Sequence, residues 1–371
     1  MRVLVVNAGS SSLKLRVVDA NDTVVERADL PAVNDLSTDD VRAALDDLGG
    51  TAALDAVGHR VVHGGRTFRE PVLVDADVRR RLGDLVALAP LHQPDSLAAI
   101  DTMADAAPRL PAVACFDTAF HATLRPEAAA FAVPAAWRDG LGLRRYGFHG
   151  LSHAYAARRA AEVAAAAGRR AARIVTCHLG AGASLAAVHD GLSVDTTMGF
   201  TPLDGLVMAT RSGSIDPGAL LWLVEQQGLS PGEVSDALEH RSGLLGLAGT
   251  ADMAAVVERA GAGDNAAGLA FAVYLLRLRA GIAGMAAALG GLDVLVFTGG
   301  VGENAPSVRA SAVAGLPFLG LGVAATANAT VDLDAAGGVA EVGVAGAPAL
   351  VLVVAAREDV EIARGVRALL A

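Results

Sequence analysis

Lysine is almost absent from this sequence: among 371 residues, the 30 basic positions comprise 29 arginines and a single lysine, Lys14. Aromatic residues make up only 4% of the chain, and there are two cysteines, Cys115 and Cys177. Both cysteines lie in apolar, strand-like runs, which indicates packing in a core rather than a disulfide or a metal site. This use of cysteine is typical of a cytoplasmic protein.

Long apolar runs are missing as well, since none reaches the ~18 residues of a membrane span. A predicted strand begins at Val3, with neither a signal nor a transit peptide before it. The net charge of −10 argues against binding nucleic acid in bulk. We therefore expect a cytoplasmic protein with neither a membrane nor a nucleic-acid partner.

Two common kinds of site motif are also absent. The sequence has no G-x-x-x-x-G-K-[ST] phosphate loop, and no G-x-G-x-x-G stands between a strand and a helix with an acid at the right distance. The pairs His59/His63 and His149/His153 have no obvious third ligand for zinc. These absences exclude a P-loop enzyme and argue against a zinc site.

What the chain does contain is a repeated glycine bend between two β-like runs. Residues 174–190 carry it at Gly180-Ala181-Gly182, and residues 3–19 repeat the plan, with Asn7 before a Gly/Ser bend. Such a bend lets backbone N–H groups approach a phosphate, although one bend alone is weak evidence. A third glycine-rich segment, 297–304, follows another buried-strand pattern. The two copies predict a duplicated unit.

The predicted elements follow the order βββαβαβα twice, which indicates an α/β protein with two ribonuclease-H-like domains around a central cleft. We expect an N-terminal domain of residues 1–118 plus 359–371 and a C-terminal, nucleotide-binding domain of residues 119–358. A long helix at 264–289 is predicted to pack in a core or an interface.

Polar side chains cluster in the bends and at the ends of the predicted strands. Many donors together with two carboxylates suit a nucleotide with Mg²⁺. Lys14, on the return strand of the first bend, is predicted to be a point charge beside a phosphate. The donors are Asn7, Ser10, Ser12, Lys14, Arg60, His149, His178 and Arg211, and the acids are Asp117 and Glu358.

Some of these residues also admit structural roles. Arg60 lies between apolar residues, so it must meet an anion, either a protein carboxylate or a ligand. His59, His63 and His121 could be core or strand-end histidines.

Eight segments together resemble the acetate kinases, in the acetate/butyrate kinase family of the actin-like ATPase superfamily. The likeness runs through nearly the full length of the chain. The segments are NAGSSSLK (7–14), GHRVVHGG (58–65), APLH (89–92), FDTAFH (116–121), RYGFHG (145–150), MGFTPL (198–203), TRSGSIDP (210–217) and FTGGVGEN (297–304).

The resemblance implies reversible phosphoryl transfer from ATP to acetate, giving ADP and acetyl phosphate, with Mg²⁺ or Mn²⁺, in a homodimer. It implies that Arg60 and Arg211 hold the substrate carboxylate and the phosphoryl group, and that His149 and Asp117 complete the catalytic set. Asn7 and Glu358 would position the metal. Substrate contacts are implied at Arg60, Val62, Leu91, Phe148 and Pro202. Nucleotide contacts are implied at Lys14, Ser10, Ser12, His178, Leu179, Gly180, Ala181, Gly182, Asp252, Met253, Ala254, Gly300, Val301, Gly302, Glu303 and Asn304.

The chain departs from the family pattern at several positions. Ala181 stands where the family usually has Asn, and Arg66 and Gln93 replace an acid and an Asn. Around Asp252-Met253-Ala254 the family tends to have an aromatic residue and an Arg. These departures bear on nucleotide affinity and on the choice of phosphoryl donor.

Three alternatives therefore stay open beside acetate kinase. One is a kinase of the same family that prefers propionate or butyrate, because one methylene changes binding by only ~1–3 kcal/mol. Another is a weakened paralogue that uses a different phosphoryl donor. The third is a binding or chaperone-like module that uses ATP only to move two domains.

Overall fold

The computed structural model describes residues 1–9 and 12–371. Contacts between Cα atoms divide the chain into two compact units. Unit 1 comprises Met1–Ala122, Phe148–Tyr155 and Arg357–Ala371, and unit 2 comprises Thr123–Gly147 and Ala156–Ala356. The sequence-based boundaries placed residues 119–122, 148–155 and 357–358 in the second domain, whereas the contacts assign these residues to unit 1.

Each unit contains one six-stranded mixed sheet. The strands of unit 1 are β1 (Val3–Ala8), β2 (Leu13–Val18), β3 (Val24–Leu30), β4 (Ala56–Val61), β5 (Val72–Leu73) and β6 (Ala112–Phe116). The strands of unit 2 are β7 (Arg173–Leu179), β8 (Ala183–His189), β9 (Leu192–Thr196), β10 (Val294–Thr298), β11 (Val339–Glu341) and β12 (Leu350–Val354).

The two sheets have the same topology. Their strand orders are β3-β2-β1-β4-β6-β5 and β9-β8-β7-β10-β12-β11. In each, three antiparallel neighbours precede two parallel ones, and a short antiparallel strand closes the edge. The predicted duplication and the α/β fold class are therefore confirmed.

Helices surround these sheets and are numbered here in chain order. They are α1 (Thr38–Asp47), α2 (Ala76–Gly83), α3 (Gln93–Ala106), α4 (Pro126–Ala129), α5 (Gly150–Ala166), α6 (Pro217–Glu225), α7 (Pro231–His240), α8 (Gly243–Ala248), α9 (Met253–Gly261), α10 (Asn265–Leu289), α11 (Gly299–Asn304), α12 (Pro306–Ala314), α13 (Ala325–Ala329) and α14 (Glu358–Leu370).

The sheet of unit 1 is buried on both faces because its strands alternate two sets of apolar side chains. Leu4 and Val6 face a core shared with α1 and α3, whereas Val3 and Val5 face a core shared with α14. At Gly58 a Cβ atom would lie 2.6 Å from a side-chain carbon of Ile362, so glycine lets α14 lie close to β4. The parallel strands β1 and β4 are thus buried in the interior of unit 1.

Helix α10 is long and apolar enough, by length and composition, to span a membrane. Its buried residues instead recur every three or four positions, as at Tyr274, Leu278 and Ile282, and it packs on β7, β8 and β9. Gly281 marks its close approach to the sheet, since a Cβ there would lie 2.7 Å from Leu185. This is the packing of a core helix, one of the two alternatives that the sequence left open.

Both cysteines are buried free thiols, as the sequence predicts. Burial, with a smaller contribution from Glu361, raises the pKa of Cys115 to about 12. Burial also raises the pKa of Cys177 above its ordinary value. Both side chains are therefore protonated, unreactive parts of the core.

Candidate functional site

The parallel strands of unit 1 bring a charged cluster together at their carboxyl ends. Asn7 lies near the end of β1, Arg60 near the end of β4, and Asp117 directly after β6. Because β1, β4 and β6 are neighbours in this order, the three side chains come from adjacent strands. The carboxyl edge of parallel strands is the usual place for a binding site in α/β folds.

Both carboxylate oxygens of Asp117 accept hydrogen bonds from Arg60. Arg60 Nε donates to Oδ1 at 3.0 Å, and Arg60 NH2 donates to Oδ2 at 2.6 Å. Arg60 NH1 donates to Asn7 Oδ1 at 3.3 Å, and Glu358 Oε2 lies 3.5 Å from Arg60 Nε. The anion that the sequence required for Arg60 is therefore a pair of protein carboxylates. This planar, two-point contact fixes the direction of the guanidinium.

The cluster also shifts the titration of its members. Burial alone would lower the pKa of Arg60, but the charges of Asp117 and Glu358 outweigh it and raise that pKa above its ordinary value. Burial raises the pKa of Glu358, and Arg60 opposes this while Asp117 adds to it. The Glu358 carboxylate therefore gives up its charge more readily than an ordinary glutamate does.

His149 follows in the same unit, directly before α5. Its backbone adopts the left-handed conformation, with φ of 56°, and its carbonyl accepts the hydrogen bond from His153 N at 2.9 Å. The next residue, Gly150, donates its N–H to the Asp117 carbonyl at 2.8 Å. A Cβ at Gly150 would lie 2.2 Å from that carbonyl oxygen, so this close approach needs glycine.

The residues predicted to contact the substrate's methyl group are in different settings. Phe148 is buried, at 1% exposure, and its ring meets that of His63 edge to face with centroids 5.5 Å apart. Val62 is half-buried, whereas Leu91 is 49% exposed. Pro202 belongs to unit 2.

Gln93, one of the departures from the family pattern, holds the segment that follows β4. Its side chain is fully buried; Oε1 accepts from His63 N at 3.1 Å, and Nε2 donates to His63 O at 3.2 Å. Burial lowers the pKa of His63 to about 4, and its Nδ1 accepts from Gly65 N at 2.8 Å. His63 is thus a neutral histidine of the core, which is the structural role that the sequence left open for it.

The remaining predicted residues of unit 1 lie on the first hairpin. Lys14 is exposed and pairs with Asn7 across β1 and β2. Its charge reaches Glu358, whose pKa it helps to lower. Ser12 is half-buried, and Ser10 lies outside the described residues.

In unit 2, the second hairpin joins β7 to β8 through Gly180-Ala181-Gly182. Gly180 N donates to Gly182 O at 3.0 Å, and His178 is paired with Ser184 across the two strands. This bend forms one wall of a cavity.

The cavity has a volume of about 340 Å³ and is lined mostly by small or apolar residues. The sequence predicted eight lining residues, Gly180, Ala181, Asp252, Met253, Ala254, Gly300, Val301 and Asn304, and missed five others, Ala209, Leu244, Ala251, Tyr274 and Ala305. Tyr274 lines the cavity, but its hydroxyl is buried and has no hydrogen-bond partner within the part of the chain that is described. The sequence could not identify Tyr274 as a cavity residue, because its position depends on how α10 packs.

The glycine-rich segment 297–304, predicted as a turn, contains the short helix α11, which forms another wall of the cavity. Glu303 holds it in place, since its Oε1 accepts from Gly299 N at 2.9 Å and from Ala356 N at 3.0 Å. Arg309 is buried and donates through NH1 to the carbonyls of Gly302 and Glu303, at 2.8 and 2.7 Å. Glu303, predicted as a nucleotide contact, thus uses its carboxylate for the backbone.

Arg211 also lies in unit 2, in the loop before α6. Its Nε is 3.1 Å from Glu239 Oε2 on α7, and its NH1 donates to the Pro202 carbonyl at 3.4 Å. Sequence reasoning missed Glu239, because an acid near the end of a polar helix has the pattern of a solvated surface residue. Both predicted catalytic arginines are therefore oriented by carboxylates.

Comparison with known proteins agrees with this architecture. Residues 31–364 match the model of the acetokinase family. The acetate kinase of Deinococcus deserti is 44% identical over 398 residues, covering 100% of this chain and 98% of that protein. The structure of Porphyromonas gingivalis acetate kinase aligns with a TM-score of 0.90 at 33% identity, with both chains covered completely. That of a propionate kinase from Francisella tularensis aligns with a TM-score of 0.89 at 33% identity, covering 98% of each chain. The chain belongs to the acetokinase family.

Proposed function

We propose that this protein is an acetate kinase, which transfers the γ-phosphoryl group of ATP to acetate and forms acetyl phosphate and ADP. The observation that carries this proposal is the guanidinium of Arg60, fixed by Asp117 at the carboxyl ends of parallel strands in a chain of the acetokinase family. We assign a cytoplasmic homodimer on the same basis.

The chemistry needs charge neutralisation more than proton transfer. A carboxylate with a pKa near ~4 is already ionised at neutral pH, so no general base is required. One carboxylate oxygen attacks the γ-phosphorus in line while the bond to the bridging oxygen breaks, and ADP leaves. Arg60 and Arg211 lower the repulsion between the anions, and His149 donates to the transferring group. Arginines in such roles contribute about 10³–10⁵ in rate.

A divalent cation fits the oxygen atoms near Arg60. Asn7 Oδ1 and the Glu358 carboxylate are the oxygen ligands that Mg²⁺ prefers, and Mg²⁺ commonly keeps waters and adds phosphate oxygens to one or two carboxylates. The raised pKa of Glu358 suits a carboxylate that gains a cation. We assign Asn7 and Glu358 to hold the metal, which would neutralise charge on the phosphates.

The cavity of unit 2 suits the nucleoside. Its volume of about 340 Å³ falls within the range of small-molecule sites. Ala181, Met253 and Val301 offer apolar surface for a base. This makes ATP the donor that we test first.

The experiment traps acyl phosphate as its hydroxamate with hydroxylamine, using Mg·ATP and acetate. We expect acetate-dependent product with the wild-type protein and a loss of at least about 10³-fold with Arg211→Ala. Arg241→Ala is the matched control, because Arg241 is exposed and pairs only with Asp236 at the end of α7 among its described ion pairs. Arg211 is a cleaner target than Arg60, since removing Arg60 would leave buried carboxylates unpaired, at a cost of about 3–5 kcal/mol.

Two outcomes would overturn the proposal. No hydroxamate with acetate, propionate or butyrate would refute the reaction class, and a fully active Arg211→Ala variant would refute the role of that arginine. Relative kcat/KM values for the three acids decide the substrate, and a preference for butyrate would replace acetate. An assay with pyrophosphate in place of ATP tests whether the protein uses another phosphoryl donor, the alternative suggested by Ala181.

A further inference from the structure

His149 occupies a backbone conformation that needs support from its surroundings. It is one of three non-glycine residues with positive φ in the described ranges, and the other two, Asp22 and Asp190, are turn residues beside strands. A non-glycine residue in this region costs of order 1–3 kcal/mol, so it persists only where neighbouring contacts impose it. The residue before a helix normally adopts an extended conformation instead.

Hydrogen bonds hold the peptide groups on both sides of His149. On the far side, Gly150 N donates to the Asp117 carbonyl at 2.8 Å, and the His149 carbonyl itself accepts from His153 N. On the near side, the carbonyl of Phe148 is 3.0 Å from Nε2 of His121. Because a carbonyl only accepts, Nε2 of His121 carries the proton and donates it. Of these three hydrogen bonds, the one from His121 is the only one that a side chain makes.

The packing around His121 fixes the direction of that donor. The residue is 1% exposed and comes from the short 3-10 helix Ala119–Thr123, which follows Asp117. Its ring meets the rings of Phe120 and His153 edge to face, with centroids 5.5 and 5.7 Å apart. Phe148 is equally buried, so no water can readily take over the bond to its carbonyl.

We propose that His121 is a positioning residue for His149: by donating from Nε2 to the Phe148 carbonyl, it holds the peptide that sets the left-handed backbone, and so the aim, of the His149 imidazole. The inference rests on the proposed function, in which His149 stabilises the transition state. His121 and Asp117 come from one segment, so the same stretch of chain orients Arg60 through a carboxylate and His149 through a hydrogen bond.

The expected signature is a loss in kcat rather than in binding. If the Phe148 carbonyl is released, the imidazole moves relative to the reacting group, and a misplacement near 1 Å can cost about 100-fold in rate. His121→Leu replaces the imidazole with an apolar side chain of similar bulk. This variant should lower kcat by about 10- to 100-fold with little change in KM for acetate or ATP. His121→Gln, which restores an N–H donor at the same reach, should recover most of that loss.

A double-mutant cycle separates positioning from general damage. In a His149→Ala background the His121→Leu change should cost nothing further in kcat, because the residue through which it acts is gone. His59→Leu is the control for removing a buried imidazole of the same unit, since His59 makes no hydrogen bond to the described residues, and it should leave kcat unchanged. A His121→Leu penalty that persists in the His149→Ala background, or that Gln does not rescue, overturns the proposal.

A crystal structure of the His121→Leu variant distinguishes this proposal from the proposed function. In His121→Leu we expect the Phe148–His149 peptide to rotate and φ of His149 to leave the left-handed region. In His121→Gln we expect φ of His149 to stay in that region. An unchanged peptide in the leucine variant refutes the positioning role. If the wild-type protein makes no acyl phosphate, the proposed function fails, and the two variant structures still decide whether His121 holds His149.

Discussion

Acid should destabilise this protein through a histidine that its fold buries without a hydrogen bond. His59 lies in β4, between Val6 on β1 and Ala114 on β6 in the sheet register. It is 1% exposed, and neither ring nitrogen has a partner in the described part of the chain. Burial lowers its pKa from 6.5 to about 4, so the folded protein holds it neutral.

The sign and size of the effect follow from proton linkage. Between pH 6.5 and about pH 4 the unfolded chain binds a proton at His59 that the folded chain rejects, so stability falls as pH falls through this window. The stabilisation is complete above pH 6.5. At about pH 5 the loss from this one residue is about 2 kcal/mol. His63, whose pKa is also lowered to about 4, adds a loss in the same direction.

The assay compares urea unfolding of the wild type and His59→Leu at about pH 7.5 and about pH 5. Far-UV circular dichroism is the suitable probe, because both tryptophans, Trp137 and Trp222, lie in unit 2 and would not report on β4. With a slope of about 1–3 kcal/mol/M, 2 kcal/mol corresponds to a midpoint shift of about 1 M. On acidification the variant's midpoint should therefore fall by about 1 M less than that of the wild type.

A matched control is His240→Leu, which makes the same change at an exposed position in the last turn of α7. It should leave the acid-induced fall of the wild type intact. If His59→Leu loses as much stability on acidification as the wild type does, then His59 is protonated in the folded protein and the reasoning is refuted.

Three further outcomes follow from the buried polar contacts. Gln93→Leu removes the two hydrogen bonds from the Gln93 side chain to the N–H and carbonyl of His63 and should destabilise the protein by about 2–4 kcal/mol, measured by the urea midpoint against the exposed substitution Arg66→Leu. Arg309→Lys cannot reach all its oxygen acceptors at once and should raise KM for ATP several-fold more than KM for acetate, so equal changes would contradict it. Glu239→Ala removes the carboxylate beside Arg211, for which we propose a catalytic role, and should lower kcat about tenfold, whereas Asp236→Ala on the same helix should not.

Local patterns predicted most strands of the two sheets. Apolar, strand-like runs on both sides of a glycine bend mark β1, β2, β7 and β8, and their repetition marks the duplication. Strands β5 and β11 and the short helices α4, α8, α9, α11 and α13 were not predicted, and β5 and α11 show two different reasons. Strand β5 has two residues, too few to show a period. Helix α11 contains three glycines, which disfavour helix, and it is held from outside by Glu303, Ala356 and Arg309.

The candidate site was predictable only in part for a similar reason. Motifs name Arg60, Asp117 and Arg211, but they do not show that Asp117, 57 residues away, orients Arg60 or that Glu239 on α7 orients Arg211. Arg309 shows how far this limit extends. It is buried without a carboxylate among its described partners and instead donates to oxygens of Gly302, Glu303 and Asn328. No spacing rule predicts such an arrangement, because the fold brings its parts together.

The two sheets also show how one scaffold takes two roles. By register, Asn7 on β1 corresponds to His178 on β7, since each precedes its hairpin bend.

Arg60 corresponds in the same way to Thr298 at the end of β10, and Asp117 after β6 corresponds to Ala356 after β12. The carboxyl edge thus carries a guanidinium and a carboxylate in unit 1, where unit 2 has a buried hydroxyl and an alanine. An ion pair can orient a charge only where space is filled, whereas a cavity for a nucleoside requires small side chains and exposed peptide groups. Under the proposed function, the duplicated topology therefore supports a division of labour, in which the first sheet carries the Arg60–Asp117 ion pair and the second sheet borders the cavity.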